Sequence, residues 1–292
     1  MNYPRLARLS LAAVVLCAAG TAVSALPTTL PLQAETGDTQ KIVDANAPAI
    51  VTLKFILKGG EQDEEVETTG IVIDPSGIIL SNNNAFGGLM ARFGGPTPTP
   101  SEIKVLVGDD TQGVDASFMA RDSDLGLAWV KLNEAPAKPL AAVDLSKSVS
   151  ATLGQDLVEV SLMGKFFDRA PIVSTAHVAA VVKKPRELYI PSIGLASGEM
   201  GMPVFTAKGE LLGITTLILP DQEEVAGNSG GMRAIMRGIT GGMILPAAEA
   251  HAATLRAKET AAAGKTEDAK PDAAKEEPKK DEGQMDEGEK PK

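Results

Sequence analysis

The sequence predicts an all-β protein, and three observations carry that reading. Short runs rich in β-branched residues recur along the chain, Gly and Pro turn signals separate them, and helical periodicity is scarce. In order, "AIVTLKFIL" (49–57) and "TGIVIDPSGIILS" (69–81) read as strands, the second broken by a turn at Asp74-Pro75-Ser76-Gly77. "EIKVLVGDD" (102–110) alternates and then turns, and "LGLAWVKL" (125–132) alternates around Trp129, an indole expected in the core. The second half repeats the style with "DLVEVSLMG", "PIVSTAHVAAVV", "ELYIPSI", "MPVFTAKGELLGITTLIL" and "GGMILP".

Composition narrows the function. Aromatic residues make up only 3% of the 292 residues, so the core must rest on Val, Ile, Leu, Ala and Met. The net charge of −10 argues against a nucleic-acid partner, because phosphates require a basic face. Phosphate-binding glycine loops are missing, two histidines are too few for a His-rich zinc site, and "EQDEEVE" (61–67) lacks the regular spacing of a calcium loop. No cofactor or metal is expected.

The N-terminus reads as a secretory signal. Arg5 and Arg8 precede the apolar run "LSLAAVVLCAAGTAV", and Val23-Ser24-Ala25 suits cleavage after Ala25. An uncleaved anchor is the alternative, but the run falls short of the roughly 20 residues a spanning helix needs. Residues 1–25 are thus expected as a signal peptide and 26–40 as a flexible lead-in. The protein is expected to be exported, periplasmic or secreted, with no membrane span after cleavage. Cleavage would also remove Cys17, the single cysteine, and with it any thiol or disulfide chemistry. From about residue 251 the chain becomes poor in large apolar residues and dense in Lys, Glu, Asp and Pro, so 251–292 is expected as a disordered tail.

Three stretches between these ends carry a resemblance. "TTGIVIDPSGIILSNNNAF" (68–86), "ARDSDLGLAWVKL" (120–132) and "ASGEMGMPVFTAKGELLGITT" (196–216) resemble, in order and spacing, the three active-site segments of HtrA/Deg-type trypsin-like serine proteases. "IVDANAPAIVTLKF", "APIVSTAHVAAVV" and "GITGGMILPAAEA" resemble further segments of that family, so the likeness runs from about Ile42 to Pro246. It implies a double β-barrel over 41–250, two six-stranded barrels with a cleft between them. The PDZ domain that often follows in the family finds no counterpart in the charged tail. Members often trimerise through aromatic N-terminal segments, and 26–40 contains no aromatic residue.

The same alignment places Asn84 where the family has its catalytic histidine, Gly126 where it has the aspartate, and Met200 where it has the nucleophilic serine. A serine hydroxyl attacks only when an imidazole takes its proton, and a carboxylate orients that imidazole. Asn84 has no basic nitrogen, Gly126 has no side chain, and the thioether of Met200 cannot form an acyl-enzyme. Other departures agree: Thr68 and Thr69 stand where the family has Gly-Ser. Gly198 is kept in a vestigial oxyanion loop, but Glu199 beside it would repel a developing oxyanion.

Two other motifs invite an opposite reading. "GNSGG" occurs at Gly227–Gly231, but the stretch after it does not continue as a nucleophile loop, and 200–213 already fills that place. The sequence around Ser229 therefore reads as a turn of turn-prone residues. His177, in "STAHVAA", lies in the second half of the chain and reads as a strand residue, with no obvious aspartate partner. The Gly- and Pro-rich segment 86–101 carries Phe86, Leu89, Met90 and Phe93, either packed on themselves or forming a partner-binding lip.

The resulting expectation is an exported, catalytically inactive trypsin-like domain acting as a binding or scaffold module. Its partner would be a peptide or envelope protein at the inter-barrel cleft or the 86–101 loop. The alternatives are an active endopeptidase with a rewired site, such as Ser229 with His177, and a purely structural envelope protein.

Overall fold

A computed structural model describes residues 36–58, 63–88, 97–195, 200–218 and 242–264. Helix α1 (Thr36–Asn46) leads through a short 3-10 turn into twelve strands. Strands β1 (Ile50–Lys58), β2 (Glu64–Asp74), β3 (Ile78–Asn82), β4 (Thr99–Leu106), β5 (Val114–Asp122) and β6 (Leu127–Leu132) make the first barrel. It closes in the order β1-β2-β3-β6-β5-β4. Strands β7 (Asp156–Leu162), β8 (Pro171–Val182), β9 (Leu188–Pro191), β10 (Pro203–Thr206), β11 (Leu211–Thr216) and β12 (Met243–Pro246) make the second. It closes in the order β10-β11-β12-β9-β8-β7. Among the described residues, neighbouring strands within each barrel pair antiparallel. Closure leaves no free strand edge for another chain to pair with.

The turn expected between β2 and β3 forms as its residues require. Gly77 N–H donates to Asp74 O at 2.9 Å, and Ser76 Oγ donates to Asp74 Oδ1 at 2.7 Å. Gly77 sits at φ 98, and a Cβ there would lie 2.6 Å from Leu132 Cδ1, so only glycine suits the position.

Each barrel has its own interior. In the first, Val51, Leu53, Phe55, Val72, Ile79, Val105 and Val130 point inward. Phe86 joins them, stacked on Phe55 with ring centroids 4.4 Å apart and planes 6° apart. It is fully buried, so Phe86 at the start of the 86–101 segment belongs to the core. Leu89, Met90 and Phe93 lie outside the described residues. The second barrel is filled by Leu157, Val178, Tyr189, Val204, Leu212 and Ile244. A third cluster, including Leu80, Trp129, Val160, Ile214 and Leu245, spans the two barrels. Trp129 is buried as expected, and its Nε1–H donates to Thr254 Oγ1 at 3.0 Å.

That bond locates a difference from the sequence reading. The chain remains ordered past residue 251: helix α2 (Ala247–Ala262) runs across the expected tail boundary. Its buried residues, Ala247, Ala250, Ala253, Thr254 and Ala257, recur at helical spacing and form one face. Alanine is the strongest helix former and lets the backbone approach closely, so a stretch whose large apolar residue, Leu255, stays exposed still docks. Likewise α1 begins at Thr36, inside the expected lead-in of 26–40. Residues 265–292, the rest of the expected tail, lie outside the described residues.

Helix α2 is also pinned by charge. Lys258 Nζ lies 2.9 Å from Asp74 Oδ2 at the β2–β3 turn, and Arg256 Nη2 lies 3.5 Å from Asp122 Oδ2 at the end of β5. Hydrogen bonds from Ser76 and then Lys258 lower the Asp74 carboxyl from 3.8 to about 2. A folded-state value below the unfolded one stabilises the fold above the unfolded value and ceases to do so as pH falls through the folded one. The difference in unfolding free energy between wild type and Asp74→Asn should therefore be full near pH 5 and shrink to nothing between about pH 4 and pH 2. Urea melts across that range check it, and a constant difference would detach Asp74 from the acid sensitivity.

Candidate functional site

The site is built where the end of β3 meets two loops. Asn82 ends β3 and bridges the barrels: its Oδ1 accepts the Ala85 N–H at 2.9 Å, and its Nδ2 donates to Met200 O at 3.3 Å. The next residue, Asn83, donates its N–H to Gly126 O at 2.8 Å. Half-buried Asn84 follows in the turn, its carbonyl accepting the Gly87 N–H at 3.1 Å.

The loop between β5 and β6 is ordered by Asp122. Its Oδ1 accepts the Leu125 N–H at 3.0 Å and the Asp124 N–H at 3.2 Å. Burial raises the Asp122 carboxyl above its usual range, outweighing those hydrogen bonds and the nearby Arg256. The loop then reaches Gly126 at φ 67. Leu125 O accepts the Thr216 hydroxyl at 2.6 Å, which ties the loop to the end of β11.

The second barrel approaches from the other side. Gly201 N–H donates to Thr215 O at 2.7 Å, and Met202 N–H donates to Thr215 Oγ1 at 2.9 Å. Gly201 has φ 88, and a Cβ there would lie 2.9 Å from Asn82 N, so glycine is required for the close approach. The Met200 side chain runs toward Gly242 at the start of β12, where an added Cβ would meet its Cε at 3.4 Å. Asn84, Gly126 and Met200 are thus brought to one junction by Asn82, Asn83 and the Thr215–Thr216 pair.

The junction leaves no space for a side chain at 126. A Cβ on Gly126 would lie 2.9 Å from Thr216 Oγ1 and 3.0 Å from Leu217 O. Both atoms are oxygens and one is backbone, so an aspartate there would face two acceptors at short range. Gly198 and Glu199 lie outside the described residues.

The other sequence candidates lie apart. His177 is on β8, as expected, and exposed. It has an aspartate partner that sequence reasoning missed: Nδ1 is 2.6 Å from Asp156 Oδ1, on the adjacent strand and in direct register. Register is the signal that would have found it, since residues opposite one another on paired strands have neighbouring side chains. The His177 N–H also donates to Ser192 Oγ at 3.1 Å. Ser229 and the "GNSGG" turn lie outside the described residues.

Comparison with known proteins now decides the family. The profile of the trypsin-like peptidase domain matches residues 68–214, half of the chain. The chain belongs to the trypsin-like peptidase domain family. It is similar to two proteins described as probable periplasmic serine endoprotease DegP-like. The one from Hahella chejuensis is 25% identical over 164 residues, covering 54% of this chain and 31% of the relative. The one from Pseudomonas savastanoi pv. phaseolicola is 26% identical over 168 residues, with the same coverage of 54% and 31%. The chain therefore matches under a third of either relative's length. Among solved structures, the serine endoprotease from Yersinia pestis superposes with a TM-score of 0.52 at 16% identity, covering 76% of this chain and 66% of that one. That likeness shows the double-barrel fold. Among the described residues, no helix is long and apolar enough to cross a membrane.

Gly126→Asp should lower stability by about 1–3 kcal/mol, the usual cost of forcing atoms into filled space, with a positive φ adding to it. Denaturant melts read the change. A variant as stable as wild type would mean that the junction accepts a carboxylate.

Proposed function

We propose that this protein is an exported, catalytically silent trypsin-like domain that binds a peptide or envelope protein at the inter-barrel cleft. The observation that carries the reading is the make-up of the junction. Where a serine peptidase needs a hydroxyl, an imidazole and a carboxylate, Met200, Asn84 and Gly126 offer a thioether, an amide and a hydrogen. The Thr216 hydroxyl beside Gly126 is committed to Leu125 O. Loss of a triad costs roughly a million-fold in rate, and what remains depends on the oxyanion hole and on binding. Glu199 in the oxyanion loop would place negative charge where donors are needed.

Export is supported by the N-terminal signal pattern and by relatives described as periplasmic. The cleft keeps the framework of a peptide-binding enzyme without its chemistry, and a scaffold role follows from that. The charged segment beyond residue 264 would act as a solubilising or tethering tail. No cofactor or metal is required by this role, and the acidic balance does not suit nucleic acid.

A second reading is favoured by one observation, the His177–Asp156 pair at 2.6 Å, which has the base-and-orienter arrangement of a catalytic dyad. It would need Ser229 as nucleophile and a set of oxyanion donors. The two readings separate by turnover. Purified mature protein is expected to leave unfolded casein intact, and Met200→Ser alone should not change that, because the new hydroxyl has no base. Cleavage that persists through purification and disappears in both Ser229→Ala and His177→Ala would overturn the proposal and establish the rewired enzyme.

A further inference from the structure

A second surface, away from the triad positions, combines an apolar cavity, an exposed aromatic pair and unpaired acidic groups. The cavity, of about 700 Å³, opens where α1, the start of β1, the β4–β5 turn and the β7–β8 connection meet. That volume falls in the range of about 300–1,000 Å³ typical of ligand sites. Val43, Ala47, Pro48, Val107, Leu162 and Val173 supply apolar lining. Asp44, Asp109 and Asp168 also line it, against Arg169 as the single basic residue.

The β7–β8 connection displays its apolar side chains outward. Phe166 is 90% exposed and Phe167 54%, their rings edge to face with centroids 4.9 Å apart. Val173, at the start of β8, is 39% exposed. By contrast, the rings of Phe55, Phe86, Trp129 and Tyr189 are fully buried. The backbone holds the display in place. Asp168 and Arg169 take consecutive left-handed conformations, at φ 53 and φ 50, which non-glycine residues rarely adopt. Strain of this kind gathers at ligand clamps. Arg169 faces inward to the barrel junction: its Nη1 donates to Asp110 O at 3.4 Å, and its buried Nε has no partner among the described residues.

The charges select the occupant. Among the described residues, neither Asp109 nor Asp168 has an ion-pair partner, and Asp44 accepts only the neutral Gln40 amide at 2.7 Å. An acidic rim around an apolar floor suits a ligand that carries positive charge beside apolar groups, and aromatic faces attract cations as well. The rim would be repelled by an anionic membrane surface. A second copy of this chain, itself at −10, offers poor complementarity.

We propose that this surface docks a partner polypeptide segment in which basic side chains alternate with apolar ones. The apolar side chains enter the cavity over Val43 and Leu162, Phe166 and Phe167 cover them, and the ammonium or guanidinium groups meet Asp109 and Asp168. The site is independent of the cleft and of whether the cleft is catalytic.

The test uses the full mature chain and a fluorescent peptide of alternating Lys and Leu, with an alternating Glu and Leu peptide of equal length as control. Anisotropy should show saturable binding of the first and none of the second. Binding should weaken sharply at ~1 M salt, where the screening length falls to about 3 Å. Phe166→Ser with Phe167→Ser, and separately Asp109→Asn with Asp168→Asn, should each weaken it about tenfold or more. These residues are exposed, and Asn tolerates the left-handed conformation of Asp168, so both variants should keep the wild-type melting temperature. Equal binding of both peptides, or binding unaffected by either double variant, overturns the proposal. So does self-association, or pelleting with anionic vesicles, that vanishes in the phenylalanine variant, because the occupant would then be a second copy or a membrane.

Discussion

The hydroxyl of Thr216 donates to Leu125 O at 2.6 Å, and the closed space at Gly126 rests on that contact. It draws the β5–β6 loop of one barrel onto the last strand-end of the pair β10–β11 in the other. The approach is so close that Gly126 can carry no side chain without displacing an oxygen, and Gly201 meets the same limit against Asn82. The bond is buried, so losing it would strand a carbonyl away from water, at a cost of about 1–3 kcal/mol. The junction is therefore a filled seam at Gly126, the residue that the sequence resemblance aligns with the family's aspartate. The same hydrogen bonds that join the barrels remove room for a side chain there.

Around the seam, the protein compensates for a chain poor in aromatics. The two barrel interiors are mainly aliphatic, and helix α2 lays an alanine face against the barrels. Three polar links hold the helix in register: Trp129 to Thr254, Arg256 to Asp122, and Lys258 to Asp74. Asp122 serves both structures, since the carboxylate that faces Arg256 also orders the loop leading to Gly126. Helix docking and site geometry are thus coupled through one buried acid.

Much of this was legible in the sequence because the signals are local. Alternation around Trp129, the Asp-Pro-Ser-Gly turn and the spacing of the family-like segments lead to strands, a hairpin and a double barrel. What escaped was set by partners distant in sequence. Alternation assigns a face to His177 but does not reveal that Asp156 lies opposite. Phe86 reads as a loop aromatic until Phe55 is seen beneath it, 31 positions earlier in the numbering. The alanines of α2 resemble the start of a low-complexity tail, because small side chains give little hydrophobic contrast and their value lies in close packing. At the candidate site, the residue types were readable, while the closed space at Gly126 required the fold.

Membership in the trypsin-like peptidase domain family accounts for the scaffold, and the chemistry of the residues at its junction accounts for the proposed silence. The most direct measurement of that claim is the intact mass of the folded, purified protein after exposure to a serine-directed phosphonate. Such probes require a hydroxyl activated by a base. The account predicts an unchanged mass at every time point. A stoichiometric single adduct, lost when the protein is first unfolded and mapped to any one serine, would contradict it.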